Sequence, residues 1–137
     1  MQRIVIDTNV LVASLIHQSF PHLVVSLFFI DEDITWCISE EIMQEYREVL
    51  NRPKFTRYAN FIANAESLLD DIEEHAIKFS PTIKLSIIGD DSDNKFLELA
   101  EECNAHFIIT GNTRDFTMTS YKNTLIVSPK EYWEKHR

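Results

Sequence analysis

The sequence predicts an α/β protein with a mainly parallel sheet of four to five strands. Apolar runs of strand length alternate with segments of helical period, and this alternation is typical of helices that connect parallel strands. The first run, "IVI" at residues 4–6, is apolar at every position, as expected for a buried strand. Because no shift in composition divides the 137 residues, we expect residues 1–137 to form one domain.

Each element follows from a local pattern. The apolar runs predict strands near residues 3–7, 34–38, 76–79, 106–110 and 124–128. Ser39 is a suitable N-cap for a helix with Glu40 and Glu41 in its first turn. This helix is expected to reach about Asn51, because Pro53 cannot continue it.

Three further helices are expected. A long helix over about 56–75 carries apolar residues at helical spacing and most of its acids on the other side, which predicts core packing. A short helix is expected from Lys130. A helix over about 93–103 presents these residues inward: Phe96, Leu97, Ala100 and Cys103.

The composition excludes several common functions of an α/β sheet. The chain has two glycines, Gly89 and Gly111, so it lacks a P-loop, a G-x-G-x-x-G turn and a G-x-S-x-G elbow. None of its five histidines forms an H-x-x-x-H pair. The net charge of −9 predicts repulsion of nucleic acids and membranes over much of the surface, so an anionic substrate needs local positive charge.

The expected location is the cytoplasm, with no membrane partner. Asp7 interrupts the first apolar run, so we expect no signal peptide. The stretch "LVVSLFFI" at 23–30 is far shorter than the roughly 18 residues of a membrane helix. Cys37 and Cys103 have apolar neighbours in the sequence, which predicts buried, reduced thiols.

A carboxylate directly follows the first predicted strand. In a parallel sheet, ligands bind beyond the carboxyl ends of the strands, and Asp7 of "IDTNV" stands at such an end. The alternative is that Asp7 caps a helix that begins near Val10. This short motif leaves both interpretations open.

Two further acids lie beside or within apolar helix faces. Glu45 flanks the buried stripe of the 40–50 helix, next to Ile42 and Val49, and the alternative is a solvated edge glutamate. Asp93 lies one turn before Phe96, on the inward face of its helix. The alternative for Asp93 is stabilisation of the helix N-terminus.

Further oxygen ligands surround these acids. Asp90 and Asp91 precede Asp93 in "GDDSDNKF", and a bound cation would relieve their mutual repulsion. A second strand end, in "HFIITGNTRDF", supplies Asn112 and Asp115. We expect these ligands to converge with the earlier acids at one end of the sheet, and an all-oxygen cluster suits Mg²⁺ or Mn²⁺.

These motifs together resemble the PIN-domain family, in particular the VapC-like toxins of toxin–antitoxin modules. The resemblance runs from Ile4 to about Phe116. "IVIDTNVLV" is similar to the family's opening strand, "SEEIMQEYREVLNRPKF" to its second segment, and "DDSDNKFLELAEECNAHFIITGN" to its third. The resemblance puts the family's three acids at Asp7, Glu45 and Asp93.

The resemblance implies a three-layer α/β/α domain, frequently dimeric, that cleaves RNA with divalent metal. Mg²⁺ or Mn²⁺ would be bound directly by Asp7 and Asp93, and by Glu45 either directly or through a metal-bound water. The implied partners are an RNA substrate, an antitoxin protein and a second copy of the chain. Such metal ions activate water and neutralise charge during phosphodiester hydrolysis.

The sequence departs from the family at the fourth acid. Asn112 stands nearest to the equivalent position, and Asp115 follows three residues later. Asn112 would coordinate through its carbonyl without adding charge, whereas Asp115 fills the position if the loop carries one extra residue. In both cases we expect a second metal to be held less strongly.

Positive charge is concentrated in one stretch. "REVLNRPKFTR" contains Arg47, Arg52, Lys54 and Arg57, which are candidates for contacts to RNA phosphates. The alternative is a solvated connection between helices. Arg114 is a fifth candidate, unless it simply pairs with Asp115.

Three other functions compete with the nuclease. A haloacid-dehalogenase-like phosphatase needs an acid two residues after the first, where this chain has Asn9. A receiver domain expects paired acids after the first strand, which are missing, although Lys130 follows the last strand. The third is a catalytically weak or inactive PIN-like module that binds a protein through "PHLVVSLFFI" or the long helix.

Overall fold

The computed structural model describes residues 1–89 and 91–137, and the side chains of all of these except 91 and 92. The strands are β1 (Gln2–Ile6), β2 (Ile34–Ile38), β3 (Ile77–Lys78), β4 (Phe107–Ile109), β5 (Ser120–Tyr121) and β6 (Thr124–Val127). The helices are α1 (Thr8–Ile16), α2 (Phe20–Ile30), α3 (Glu40–Leu50), α4 (Phe61–His75), α5 (Asp91–Cys103) and α6 (Pro129–Lys135). Short 3₁₀ helices cover Pro53–Arg57 and Thr113–Phe116.

The strands form one mostly parallel sheet, as predicted. Their order is β3-β2-β1-β4-β6-β5, and β5 alone among the described strands pairs antiparallel, with β6. In β1, the side chains of Ile4, Val5 and Ile6 are all fully buried. Because successive side chains of a strand point to opposite faces, helices must cover both faces of the sheet. The fold is therefore a three-layer α/β/α arrangement.

The order of the strands determines where a site can form. β1 lies at the centre between β2 and β4, with Ile4 opposite both Trp36 and Phe107. The carboxyl ends of these parallel strands therefore meet at one edge of the sheet. α5 packs across β1, β2 and β4, which brings its N-terminal turn toward the same edge.

The boundaries differ from the prediction in three places. No sequence pattern predicted α2 or β5. The helix predicted over 56–75 is divided: a 3₁₀ helix ends at Arg57, and α4 begins at Phe61. Asn60 adopts the left-handed conformation with φ 62°, which asparagine tolerates better than most residues. Stacking of Phe55 on Phe61, with 4.7 Å between ring centroids, holds the two pieces together.

The apolar N-terminal helices α1 and α2 pack against each other and into the core. Within the described part of the chain, no helix is by itself long and apolar enough to cross a membrane. α1 and α2 together reach that length and composition, but the chain bends by 105° between them. The predicted thiols, Cys37 and Cys103, are buried and free.

Hydrogen bonds along one face of α5 attach it to the segment 82–88. The amide oxygen of the buried Asn94 accepts from the Ile87 and Ile88 backbone N–H groups at 3.2 and 2.9 Å, and its Nδ2 donates to the Ile88 carbonyl at 2.8 Å. One turn later, Glu98 Oε2 accepts from the Leu85 N–H at 2.8 Å. This face of α5 therefore fixes the segment that leads into its own N-terminus.

Asn94→Ala is expected to reduce the free energy of unfolding by about 2 kcal/mol, because it leaves backbone groups around the buried Ile88 without partners. Urea unfolding measures the change. The matched control is Glu102→Ala on the same helix: Glu102 is exposed and accepts from the Thr82 N–H at 3.2 Å, so we expect a change within about 0.5 kcal/mol. Equal losses of unfolding free energy in both variants would contradict the conclusion that Asn94 holds the backbone around Ile88.

Candidate active site

A cavity of about 520 Å³ lies at the carboxyl ends of β1 and β4. Four of the predicted acids line it, although they are far apart in the sequence: Asp7, Glu45, Asp93 and Asp115. Asp7 follows β1, Glu45 lies on α3, Asp93 on α5, and Asp115 in the 3₁₀ helix after β4. The topology thus brings together side chains from four separate segments.

Asp7 is attached to the end of β4. Its backbone N–H donates to the Ile109 carbonyl at 2.9 Å, and its Oδ2 accepts from Thr110 Oγ1 at 2.7 Å and from Asn9 Nδ2 at 3.2 Å. Asp7 stands at the N-cap position of α1, yet its side chain makes no capping hydrogen bond. Asp7 thus occupies the position that the capping interpretation expects, while its carboxylate is oriented toward β4 and the cavity.

The environment of Asp7 opposes its charge. Burial raises the pKa of the Asp7 carboxyl to about 6 from its ordinary value of 3.8, against the hydrogen bond from Thr110, which lowers it. The negative charges of Glu45 and Asp115 raise this pKa further. A carboxylate surrounded by other acids in this way would be stabilised by a cation.

Glu45 reaches the cavity because α3 is packed firmly behind it. Tyr46 is fully buried, and its hydroxyl donates to the Ile6 carbonyl at 2.5 Å, which attaches α3 to the end of β1. Glu45 Oε2 accepts from the Thr8 hydroxyl, and Glu45 Oε1 lies 2.8 Å from Lys95 Nζ. Glu45 is thus a held side chain, not a freely solvated one.

Asp93 lines the cavity from the first turns of α5 and is partly buried. We also predicted repulsion among Asp90, Asp91 and Asp93. Asp90 and the side chain of Asp91 lie outside the part of the chain that the structure describes.

Asp115, and not Asn112, is the residue of the 112–115 loop that lines the cavity within the described part of the chain. Asn112 Nδ2 donates to Asp115 Oδ2 at 2.8 Å, and the Asn112 N–H donates to Thr110 Oγ1 at 3.1 Å. Thr110 also holds Asp7. Asn112 therefore connects the two acids of this side of the cavity and orients Asp115.

The predicted phosphate-binding residues have different surroundings. Arg52 and Lys54 line the cavity. Arg47 pairs with Glu73, and the Arg57 guanidinium lies 4.9 Å from the Tyr58 ring centroid.

The fifth candidate for phosphate contacts is Arg114. It is exposed in the 3₁₀ helix after β4, and it is absent from the described cavity lining, as are Arg47 and Arg57.

The donor set fits a hard divalent cation in its chemistry, because all four acids offer carboxylate oxygens. As they stand, however, no three His, Cys, Asp or Glu side chains among the described residues are grouped closely enough to hold a metal ion. Glu45 is instead paired with Lys95.

Thr8, Thr110 and Lys95 contact the acids of the site, although no sequence pattern predicted a role for them. Thr8 lies just after the end of β1, and Thr110 directly follows β4. Both threonines are buried in the structure. For Thr8 the available signal was a hydroxyl next to an acid at a strand end, whereas Thr110 has no acid beside it in the sequence. Lys95 gave no comparable signal, because its contact with Glu45 joins residues of different helices.

Comparison with known proteins finds similarity over most of the chain. Residues 3–114 match a family model described as the PIN domain. An uncharacterized protein from Methanocaldococcus jannaschii is 27% identical over 142 aligned positions, which cover 97% of this chain and 90% of the relative.

Proposed function

Because this chain belongs to the PIN-domain family, whose members are generally nucleases, we propose that it is a divalent-metal-dependent endoribonuclease of the cytoplasm. We further propose that it acts as the toxin of a toxin–antitoxin module. The main support is that four acids line one cavity: Asp7, Glu45, Asp93 and Asp115. The positively charged Arg52 and Lys54 line the same cavity.

In this proposal the four acids hold Mg²⁺ or Mn²⁺. When bound, such an ion activates a water and neutralises charge on the phosphate that is cleaved. The ion would also offset the repulsion that Glu45 and Asp115 impose on the Asp7 carboxylate. Asn112 takes part by orienting Asp115.

The remaining residues bind and orient the substrate. Arg52 and Lys54 lie on the cavity wall, where they would contact RNA phosphates. Val12, Ala13 and Ile16 of α1 form an apolar part of the same wall, which offers a surface for sugars and bases. We propose Arg47, Arg57 and Arg114 only as outer contacts, because they lie away from the described cavity lining.

The first test is cleavage of a mixed pool of structured and single-stranded RNA with Mg²⁺, Mn²⁺ or EDTA. We expect metal-dependent cleavage by the wild type and at least about a 100-fold loss in Asp93→Asn, because removal of one charged group from such a site costs that much. The matched control is Asp70→Asn, which neutralises an exposed acid of α4.

Cleavage that persists in EDTA or in Asp93→Asn would contradict the proposal. If the wild type neither cleaves RNA nor binds Mn²⁺, the alternative is a catalytically inactive module that binds a partner protein.

Arg52→Ala and Lys54→Ala are each expected to weaken RNA binding, because both remove a cation from the cavity wall. Each should lower the slope of log affinity against log salt by roughly 0.7. Fluorescence anisotropy in an Asp93→Asn background measures binding without cleavage. Lys84→Ala is the control, because Lys84 is an 80% exposed lysine outside the described cavity lining; an equal loss there would indicate non-specific attraction.

The proposed partners have separate tests. We expect growth arrest on expression of the wild type, relief by Asp93→Asn, and relief by a co-expressed antitoxin. We also propose a homodimer, which light scattering on the purified protein measures. Normal growth on expression of an active wild-type enzyme would contradict the toxin role while leaving the nuclease intact.

A further inference from the structure

One ion pair beside the acids differs from the other ion pairs in the described part of the chain. Lys95 Nζ lies 2.8 Å from Glu45 Oε1, with side chains that are 16% and 17% exposed. The Lys78–Glu40 pair is 49% and 66% exposed, as is usual for pairs on a surface. A shielded ammonium must have a partner, and the partner of Lys95 is a proposed metal ligand.

Lys95 fixes only one side of the Glu45 carboxylate. The other oxygen, Oε2, accepts from the Thr8 hydroxyl. The carboxylate is therefore held between α1 and α5, although Glu45 itself belongs to α3. A side chain held at both oxygens has little freedom to rotate, so these two contacts determine which direction Glu45 presents to the cavity.

The ammonium reaches Glu45 from outside the acid-lined cavity. Lys95 lines an adjoining cavity of about 340 Å³, which shares Glu45, Val49 and Arg52 with the first. Among the described lining residues of the first cavity, Lys95 is absent. Its positive charge thus lies next to the site while the space between the acids stays open.

We propose that Lys95 is a positioning residue that orients Glu45 and whose charge weakens the binding of a divalent cation to the acids. This inference rests on the proposed function, since it assumes a metal at this site. The two effects have opposite consequences: without the ammonium, the acids attract a cation more strongly, but Glu45 loses one of its two fixed contacts. A purely structural lysine would not produce this combination.

The test compares Lys95→Met and Lys95→Arg with the wild type, using calorimetric titration with Mn²⁺ alone and steady-state RNA cleavage at saturating Mn²⁺. For Lys95→Met we expect Mn²⁺ affinity to rise about 10-fold, kcat to fall about 10-fold, and KM for RNA to stay unchanged. Lys95→Arg retains the charge, so we expect Mn²⁺ affinity within about 2-fold of the wild type and a partial recovery of kcat.

Lys84→Met is the matched control, because it removes an 80% exposed lysine that pairs with Glu41. We expect it to leave Mn²⁺ affinity and kcat unchanged. Thermal unfolding in EDTA establishes that each variant is folded, and the comparison with Lys95→Arg separates loss of charge from loss of packing.

Two results would overturn the inference about Lys95 and leave the proposed function intact. One is unchanged or weaker Mn²⁺ binding in Lys95→Met, and the other is a Lys95→Arg variant that behaves like Lys95→Met. Failure of the wild type to bind Mn²⁺ would overturn both the inference and the proposed function. A wild type that binds Mn²⁺ but cleaves no RNA would count against the proposed function, and Mn²⁺ affinity would still decide whether Lys95 opposes the cation.

Discussion

Asp7→Asn is expected to abolish RNA cleavage and, at the same time, to stabilise the metal-free protein. Activity should fall by more than about 100-fold, because the variant lacks a charge that the proposed metal site needs. Stability should rise because burial and the charges of Glu45 and Asp115 disfavour the ionised Asp7 carboxyl. An asparagine keeps an oxygen that can accept from the Thr110 hydroxyl.

The stabilisation should depend on pH in a defined direction. The pKa of Asp7 in the folded protein, about 6, lies above its ordinary value of 3.8. The wild type therefore loses stability as the pH rises between these values, and the loss is complete above about 6. We expect Asp7→Asn to be more stable by about 2–3 kcal/mol at pH 7.5 and equal to the wild type near pH 3.8.

Urea unfolding in EDTA at several pH values measures this difference. Saturating Mn²⁺ should reverse the order, because it stabilises the wild type by binding and the variant much less. Asp70→Asn on the exposed surface of α4 should show neither effect. A variant less stable than the wild type at pH 7.5 would mean that Asp7 serves the fold more than the site.

Asp115→Asn is expected to reduce cleavage by about 100-fold, because it removes the fourth charge from the cavity. Asn112→Ala should reduce kcat by only about 10-fold, since it removes the 2.8 Å hydrogen bond that orients Asp115 but leaves its charge. Cleavage measured across a range of Mg²⁺ concentrations should show that Asp115→Asn needs more Mg²⁺ than the wild type for half-maximal activity. An unchanged Mg²⁺ requirement would mean that Asp115 is not a ligand.

Thr113→Ala, in the same loop, controls for changes in the loop backbone. If Asn112→Ala loses more activity than Asp115→Asn, the roles are reversed, and Asn112 fills the fourth position through its own carbonyl. The comparison therefore decides between the two candidates that the sequence left open.

Periodicity was a sound guide to the central elements. The runs that become β1, β2, β4 and β6 were found because consecutive buried residues produce a continuous apolar pattern. It was a weaker guide at 56–60, where a left-handed Asn60 and the stacking of Phe55 on Phe61 interrupt a helical pattern. The short β5 has no apolar run of its own, since its position depends on pairing with β6.

In the site, too, some features had a local sequence pattern and others depended on contacts between distant residues. Asp7 and Asp93 were recognisable because each is a carboxylate in an otherwise apolar pattern. The interactions of Thr8 and Lys95 with Glu45 were not recognisable, because they join residues that are distant in the sequence. Likewise, no pattern separated Arg52 and Lys54, which line the cavity, from Arg47, whose partner Glu73 lies on α4.

The sequence by itself determined the fold class, the parallel sheet and the candidate acids, because these depend on local periodicity and on charges at strand ends. The tertiary structure alone decided that four of these acids share one cavity, that Asn112 supports Asp115, and that Lys95 faces Glu45. The physical reason is that distances between side chains of different elements follow from strand order and helix packing, which local patterns do not specify.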